Sequence, residues 1–410
     1  MSTVSAVIDV VGVPAEGLES LPAVQRERVA AARMLVSSPR LLALAPMVQG
    51  QERRVWPSPM LPALEDFLVD VGSDGVVVLA TGDPLVSGVG STLIRVLGAD
   101  AVCVHPAVSS VALARARMGW PSESVEVVSL VSRSVYAVRR HLAPGARVVA
   151  LSASGATPVG LARALVELGL GAAAMSVLGD LGTVQESRFD CAAAELAAGS
   201  APGADGIPAL NVVAFEVPAT AVLWGSSPGL PEEAFAHDGQ ITKREVRALA
   251  IAALRPMAGQ RLWDLGAGSG SVSVEWCLAA PCTTAVAVER DGGRAQRVGE
   301  NATTFGVPIA VQIGDSLDLI GELPSPDAVF IGGGASESLI DQAWDALAPG
   351  GRLVVHCVTL DTEALVVAAH QRLGGDLRRV TIERAEALGR HLSWKPARPI
   401  VQWSATKESS

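Results

Sequence analysis

Leu262-Trp263-Asp264-Leu265-Gly266-Ala267-Gly268-Ser269-Gly270 decides the fold of the second half of this 410-residue chain. An apolar run ends in three glycines at alternate positions, and residues 271–279 follow with the pattern of a helix. A strand that feeds a glycine-dense turn lets a ligand approach the backbone where a side chain would clash. Glu289, nineteen residues beyond Gly270, ends the next predicted strand, where an acid can bind both hydroxyls of a ribose. Gly314-Asp315-Ser316 ends the third, where an adenine can sit. A bare G-x-G-x-G pattern serves NAD as well as S-adenosyl-L-methionine (SAM), and incidental glycines in an ordinary turn are a third reading. Two details favour SAM. Asp264 lies two residues before the first glycine, where an acid can meet the methionine amino group, and Val272 and Ser273 stand where G-x-G-x-x-G carries its helix-embedded glycine.

Outward from this turn the same alternation continues. Strands are predicted at 261–265, 285–289, 309–313, 328–331 and 352–357, with helices at 271–279, 293–305, 337–347 and 362–373, and two closing strands at 376–383 and 399–403. About 170 residues of this pattern make one doubly wound domain. Upstream, Thr242 and Glu245 form an S/T-x-x-E capping box that predicts a helix running to Leu254. Residues 405–410 are expected to fray. The first half has strand-like runs at 4–11, 75–80, 101–105, 125–130, 146–151, 173–178 and 210–217, with helices between them, so mostly parallel sheets are expected there too. Gly/Pro-rich stretches at 196–209 and 225–239 place the domain boundary in the second. We therefore expect domains at 1–217 and 237–404, joined by a linker at 218–236.

Composition narrows the function classes. The hydrophobic fraction is 49% with 4% aromatic, which excludes a disordered chain. No apolar run approaches the ~20 residues needed to cross a bilayer, and Asp9 interrupts the first apolar stretch, so neither a membrane span nor a signal peptide is expected. Lys and Arg total 32 against 42 Asp and Glu, a net charge of −10 without a basic run, which speaks against nucleic acid as a partner. Five cysteines form no metal-ligand spacing, so no metal is expected, and they fit reduced thiols in the cytoplasm.

The first half has its own junctions: Thr81-Gly82-Asp83-Pro84-Leu85-Val86-Ser87-Gly88-Val89-Gly90, and His105-Pro106-Ala107-Val108-Ser109-Ser110 with two cap candidates. Both can aim backbone N–H groups at a polar ligand, although Gly-Asp-Pro is also common turn chemistry. Together they resemble the tetrapyrrole methylase superfamily, a class III SAM-dependent fold of two α/β lobes. VVGVPAEGLESLPAVQRERVAAARMLVSSPRLL (10–42) resembles the start of its C-5 methylating branch. The first-strand loop keeps only Gly12 and Gly17 of the glycines usual there, and Ser87 replaces an aromatic.

The second half resembles a class I SAM-dependent methyltransferase. GLPEEAFAHDGQITKREVRALAIAAL (229–254), DAVFIGGGAS (327–336) and LAPGGRLVVHCVTLDTEAL (347–365) are similar to the decarboxylating methyltransferases of cobalamin biosynthesis. The resemblances imply an α/β chain: an N-terminal two-lobed tetrapyrrole methylase fold and a C-terminal doubly wound Rossmann-like class I methyltransferase domain. They further imply methylation of a tetrapyrrole at C-5 by the first domain, and C-15 methylation with loss of CO2 from the C-12 acetate by the second, giving precorrin-8X and S-adenosylhomocysteine.

Each domain is thus expected to bind one SAM. Thr242, Asp264, Gly266, Ala267, Gly268, Ser269, Gly270, Glu289, Asp315 and Ser316 would hold it in the second, and Gly82, Asp83, Pro84, Ser109 and Ser110 in the first. Arg244, Arg247, His391 and Arg133 are the candidates for binding substrate carboxylates. His356 and His237 are the candidates for proton transfer. A self-associating protein is expected. The rival readings are a methyltransferase of RNA or another substrate, a non-catalytic SAM-sensing protein with one degenerate half, and an NAD-dependent oxidoreductase.

Overall fold

A computed structural model describes residues 7–408. The chain divides into two compact units. One takes the chain up to Val135 with His141–Ala221, and the other takes Tyr136–Arg140 with the chain from Val222 on. Leu230 and Phe235, in the stretch expected to be linker, are buried in the second unit against Val274, Leu278 and Phe305. Their apolar side chains make that end of the stretch part of a core.

The first unit carries two five-stranded sheets. Strands β1 (Ile8–Val13), β2 (Met34–Ser37), β3 (Glu52–Val55), β4 (Val76–Thr81) and β5 (Val102–His105) pair in the order β3-β2-β4-β1-β5, all parallel. The expected first strand began at Val4, and its residues before Val7 lie outside the described ones. Sequence reasoning missed β2 and β3: one has four residues, and the other, Glu-Arg-Arg-Val, is a charged edge strand without an apolar run.

The second sheet has β6 (Val125–Ser129), β7 (Arg147–Leu151), β8 (Ala174–Gly179), β9 (Ser187–Ala192) and β10 (Asn211–Glu216) in the order β6-β7-β10-β8-β9. Only β6 and β7 run parallel, which corrects the expectation of a mostly parallel sheet. The unpredicted β9 follows β8 after seven residues, too short for a crossover, so the pair must be antiparallel.

In the second unit, β11 (Arg261–Leu265), β12 (Thr284–Glu289), β13 (Ile309–Ile313), β14 (Ala328–Ile331), β15 (Arg352–Cys357), β16 (Asp376–Val380) and β19 (Ile400–Thr406) form a sheet ordered β13-β12-β11-β14-β15-β19-β16. Its first five strands are parallel, and β19 runs antiparallel to both neighbours. Both faces are covered. Leu262 packs with Val272 and Trp276 on one side, and Trp263 and Leu265 pack with Val329 and Ile331 on the other. The order reverses beside β11, so the carboxyl edges of β11 and β14 open a crevice there.

The expected strand at 376–383 is interrupted. Its last residue opens β17 (Glu383–Leu388), which among the described residues pairs only with β18 (His391–Pro396), in an exposed hairpin. The tail is more ordered than expected, because β19 reaches Thr406 and the Lys407 N–H donates to Gly351 O (2.9 Å). Among the described residues, no helix is long and apolar enough to cross a membrane.

Candidate cofactor and active site

The turn after β11 is built on backbone that only glycine tolerates. Gly266 has φ 73°, and a Cβ there would lie 2.7 Å from Gly333 O. Gly270, φ 70°, opens the helix Ser271–Ala279, and its Cβ would meet Val298 at 2.7 Å. A Cβ at Gly268, φ 59°, would meet only Gln240 O, at 3.9 Å, and its N–H donates to Glu289 Oε2 (2.8 Å). Glu289 Oε1 accepts from the Asp291 N–H (3.0 Å). One carboxylate at the end of β12 therefore ties the glycine turn to the start of the next helix.

Around this turn lies a cavity of about 550 Å³. Thr242, Gly266, Ala267, Gly268, Ser269, Glu289, Asp315 and Ser316 all line it, from four separate segments of chain. Gly270 and Asp264 do not. Asp264 is 1% exposed, and its Oδ2 accepts from the Ser273 N–H (3.2 Å) and hydroxyl (2.7 Å). Through Oδ2 it braces the helix, because alternation along β11 turns it to the same face as Leu262. Its Oδ1 and the Ser269 hydroxyl are buried without a partner among the described residues. Such atoms are costly unless a ligand or water satisfies them.

Burial, reinforced by the Glu289 charge and opposed by the Ser273 bonds, raises the Asp264 pKa to about 6. His356, at the end of β15, lines the same cavity. Its Nε2–H donates to Gln402 Oε1 (2.9 Å), and its ring meets Phe330 edge-on at 5.0 Å. Burial lowers its pKa to about 4 against the pull of Gln402, so the ring is neutral at pH 7. This leaves it a hydrogen-bond acceptor and a weak base, not an acid.

These two groups oppose each other in acid. Unfolded chain protonates His356 near 6.5 and the native state only near 4, so this group removes stability as pH falls across that window. Asp264 protonates near 6 when native and near 3.8 when unfolded, so it adds stability as pH falls from 6 to 3.8. Each is worth up to about 3 kcal/mol. In urea titrations from pH 7 to pH 4, His356→Asn is expected to gain stability relative to wild type and Asp264→Asn to lose it. Parallel curves for all three proteins would contradict both assignments.

The remaining candidates lie elsewhere. Arg247 is wholly buried, with Nε donating to Glu275 Oε1 (2.7 Å) and NH1 to Thr242 O (2.6 Å), which corrects its reading as a substrate contact. His237 and Arg244 line a different cavity beside Arg384, and the His237 Nδ1 accepts from the Gly239 N–H (2.9 Å). His391 stands exposed on the β17–β18 hairpin and does not line this cavity, and Arg133 is exposed in the turn after β6. The capping box does not form either. The helix starts at Arg244, and Glu232 from the preceding loop accepts the Arg244 N–H (3.1 Å), which leaves Thr242 free to face the cavity.

In the first unit, Gly82 (φ 60°) follows β4, and its N–H donates to Val13 O (2.8 Å). A Cβ at Gly82 would meet Val108 O at 3.0 Å, and one at Gly12 would meet Gly82 O at 2.1 Å. The three segments therefore touch through bare backbone. Asp83 Oδ1 accepts from the Leu85 N–H (2.8 Å), so Asp83 and Pro84 form a tight turn. Ser109 caps the helix Ser110–Met118 by accepting from the Ala112 N–H (3.1 Å), and Ser110 is its first residue.

Known proteins share both halves. Residues 8–197 match the tetrapyrrole (corrin/porphyrin) methylases, and residues 233–407 match the precorrin methyltransferase domain. A precorrin-6Y C(5,15)-methyltransferase [decarboxylating] of Mycobacterium tuberculosis is 44% identical over 402 residues, covering 98% of this chain and all of that protein. The chain belongs to the precorrin-6Y C(5,15)-methyltransferase family. A Sinorhizobium protein of that name is 42% identical over 98% of this chain and 97% of its own. The crystal structure of the C-terminal domain of precorrin-6Y C5,15-methyltransferase from Rhodobacter capsulatus is 47% identical, covers 45% of this chain and all of that one, and gives a TM-score of 0.43.

In this member of the precorrin-6Y C(5,15)-methyltransferase family, sequence reasoning missed part of the cavity wall. Gly332, Gly333 and Gly334 follow β14 directly, and Lys243, Arg290, Val358 and Ile400 complete other sides. Three consecutive glycines at the carboxyl end of a predicted strand were a usable signal. Ile400 carried none, since only the antiparallel return of β19 brings it to the end of β15.

Proposed function

We propose that this chain methylates C-5 and C-15 of a precorrin-6 macrocycle and removes CO2 from the C-12 acetate, with one SAM bound in each unit. The observation that carries the reading is identity along almost the whole chain with proteins named for both methylations and the decarboxylation. The residues around the second-unit cavity fit SAM. Glu289 offers two carboxylate oxygens to a ribose, and the unpartnered Asp264 Oδ1 and Ser269 hydroxyl suit an ammonium group. Asp315 and Ser316 flank the place for the adenine. Gly82, Asp83, Pro84, Ser109 and Ser110 take the corresponding part in the first unit.

When bound, SAM supplies an electrophilic sulfonium methyl. The attacking ring carbons are enamine-type nucleophiles, so the chain has to align and desolvate them more than deprotonate them. Neutral His356 gives the cavity an acceptor nitrogen, Nδ1, without placing a fixed charge there. Loss of CO2 leaves its electron pair in the macrocycle, and the former acetate carbon takes up a proton from the cleft. The test is mass spectrometry of a precorrin-6 substrate incubated with the chain and SAM. Two added methyls and one lost CO2 are expected, and an unchanged mass overturns the reading.

The chain is further proposed to work in the cytoplasm as a homo-oligomer. The β17–β18 ribbon exposes Leu392 and Trp394 on one face, and an isolated two-stranded ribbon is marginal in water unless its apolar side is covered. A second copy of the chain is the proposed cover. Light scattering is expected to give a multiple of the chain mass, and a smaller one for Leu392→Glu; a monomeric wild type refutes the assignment.

A further inference from the structure

Strand β5 is an edge of the first sheet, and three of its neighbourhood's side chains converge outside any site described above. Asp9 on β1 sits beside Cys103 on β5, and Val11 beside His105, so Asp9, Cys103 and His105 share one face. His105 Nε2 lies 2.7 Å from Asp9 Oδ1 and 3.6 Å from Cys103 Sγ. One ligand atom from each residue falls within 4.8 Å of the others, and among the described residues no other three groups of this kind do so.

The geometry is not that of an acid–base relay. A relay spends one ring nitrogen on the acid and the other on the thiol, whereas here both partners meet the same Nε2. We propose that Asp9, Cys103 and His105 form a site for a divalent ion of borderline softness, zinc above all, at the open edge of the first sheet. Thiolate, imidazole and carboxylate are the donors zinc prefers, and three protein ligands leave a fourth position for water. Binding releases the Cys103 thiol proton to solvent and moves the imidazole proton to Nδ1, with no change in oxidation state.

Arg28 is the built-in competitor. Its NH1 lies 2.5 Å from the same Asp9 Oδ1, and its side chain is 37% exposed, so an arriving ion can displace it into solvent. The site adjoins functional backbone, since Pro106 and Ala107 link His105 directly to the Val108–Ser109 junction that packs on Gly82.

The test uses the full chain, stripped with a chelator and titrated with cobalt(II) as the spectroscopic stand-in for zinc. The wild type is expected to develop a thiolate-to-cobalt charge-transfer band at one equivalent, and zinc should abolish it. Cys103→Ser, at an exposed position that any small residue can occupy, should lose the band, and Asp9→Asn should bind about tenfold or more weakly. Arg28→Ala should bind more tightly than wild type. Cys282→Ser, at the exposed thiol of the other unit, should behave as wild type. No band in the wild type, or a band that survives Cys103→Ser, overturns the site.

Discussion

Glu289→Ala is expected to remove one of two SAM sites seen by titration calorimetry and to abolish methylation at C-15 while C-5 methylation continues. The carboxylate is 6% exposed, and it already accepts from Gly268 and Asp291 before any ligand arrives. Two consequences of its loss add. The ribose hydroxyls lose a charged acceptor, and the glycine turn loses the tie that holds Gly268 toward β12. Hydrogen bonds to a charged group are worth about 1.5–3 kcal/mol each, so a hundredfold or greater loss of affinity follows. Glu289→Gln keeps one acceptor oxygen and should fall between the two. Gly82→Arg is the reciprocal arm. At φ 60°, with Val108 O only 3.0 Å from where the Cβ would sit, it should cost the other site and C-5 methylation. Two intact sites in Glu289→Ala would end the ribose assignment and leave the family membership untouched.

What was legible in the sequence was whatever depends on neighbours in the chain. Strand, glycine turn and helix from Arg261 to Ala279 are specified by adjacent residues, so β11 and the helix after it have the boundaries their pattern predicts. Glu289 was findable because a parallel β-α-β unit fixes how far along the chain the next strand ends. Elements held by distant partners were not. The four-residue β2 is a strand because β3 and β4 flank it, and nothing within Met-Leu-Val-Ser says so. His356 was placed at the right edge of the sheet, but its neutrality comes from burial, which outweighs the opposing pull of Gln402, a partner that only the antiparallel return of β19 brings opposite. Asp264 shows the same limit in reverse. Its distance from Gly266 suggested a ligand contact, yet nothing in that spacing says that Ser273 takes Oδ2 and leaves only Oδ1 without a partner among the described residues.

Arg247 was misread for the same reason, and correcting it yields the largest expected effect on stability. Position and charge made it a candidate for substrate carboxylates, yet Glu275 on the helix Ser271–Ala279 meets it in the interior, where both side chains are at most 1% exposed. Glu275 also accepts from the Gly229 (3.0 Å) and Leu230 (2.8 Å) N–H groups, and Arg247 donates to Leu230 O and stacks over Phe235 at 4.6 Å. The pair thereby fastens the segment leading into the second unit onto two helices. Arg247→Leu leaves a buried carboxylate without its cation, a change that costs about 3–5 kcal/mol. Glu275→Leu should cost a similar amount, while the double variant should recover part of the loss, because the two side chains couple. Recovery should be incomplete, since the Gly229 and Leu230 N–H groups then lose their acceptor. Urea denaturation of the four proteins measures this cycle. Kinetics separates it from substrate binding: Arg247 also holds Thr242 O, and Thr242 lines the cofactor cavity. Folded Arg247→Leu enzyme should therefore show any rise in KM for SAM rather than for the tetrapyrrole. A stable variant with a raised KM for the tetrapyrrole alone would restore the substrate-binding role that burial denies it.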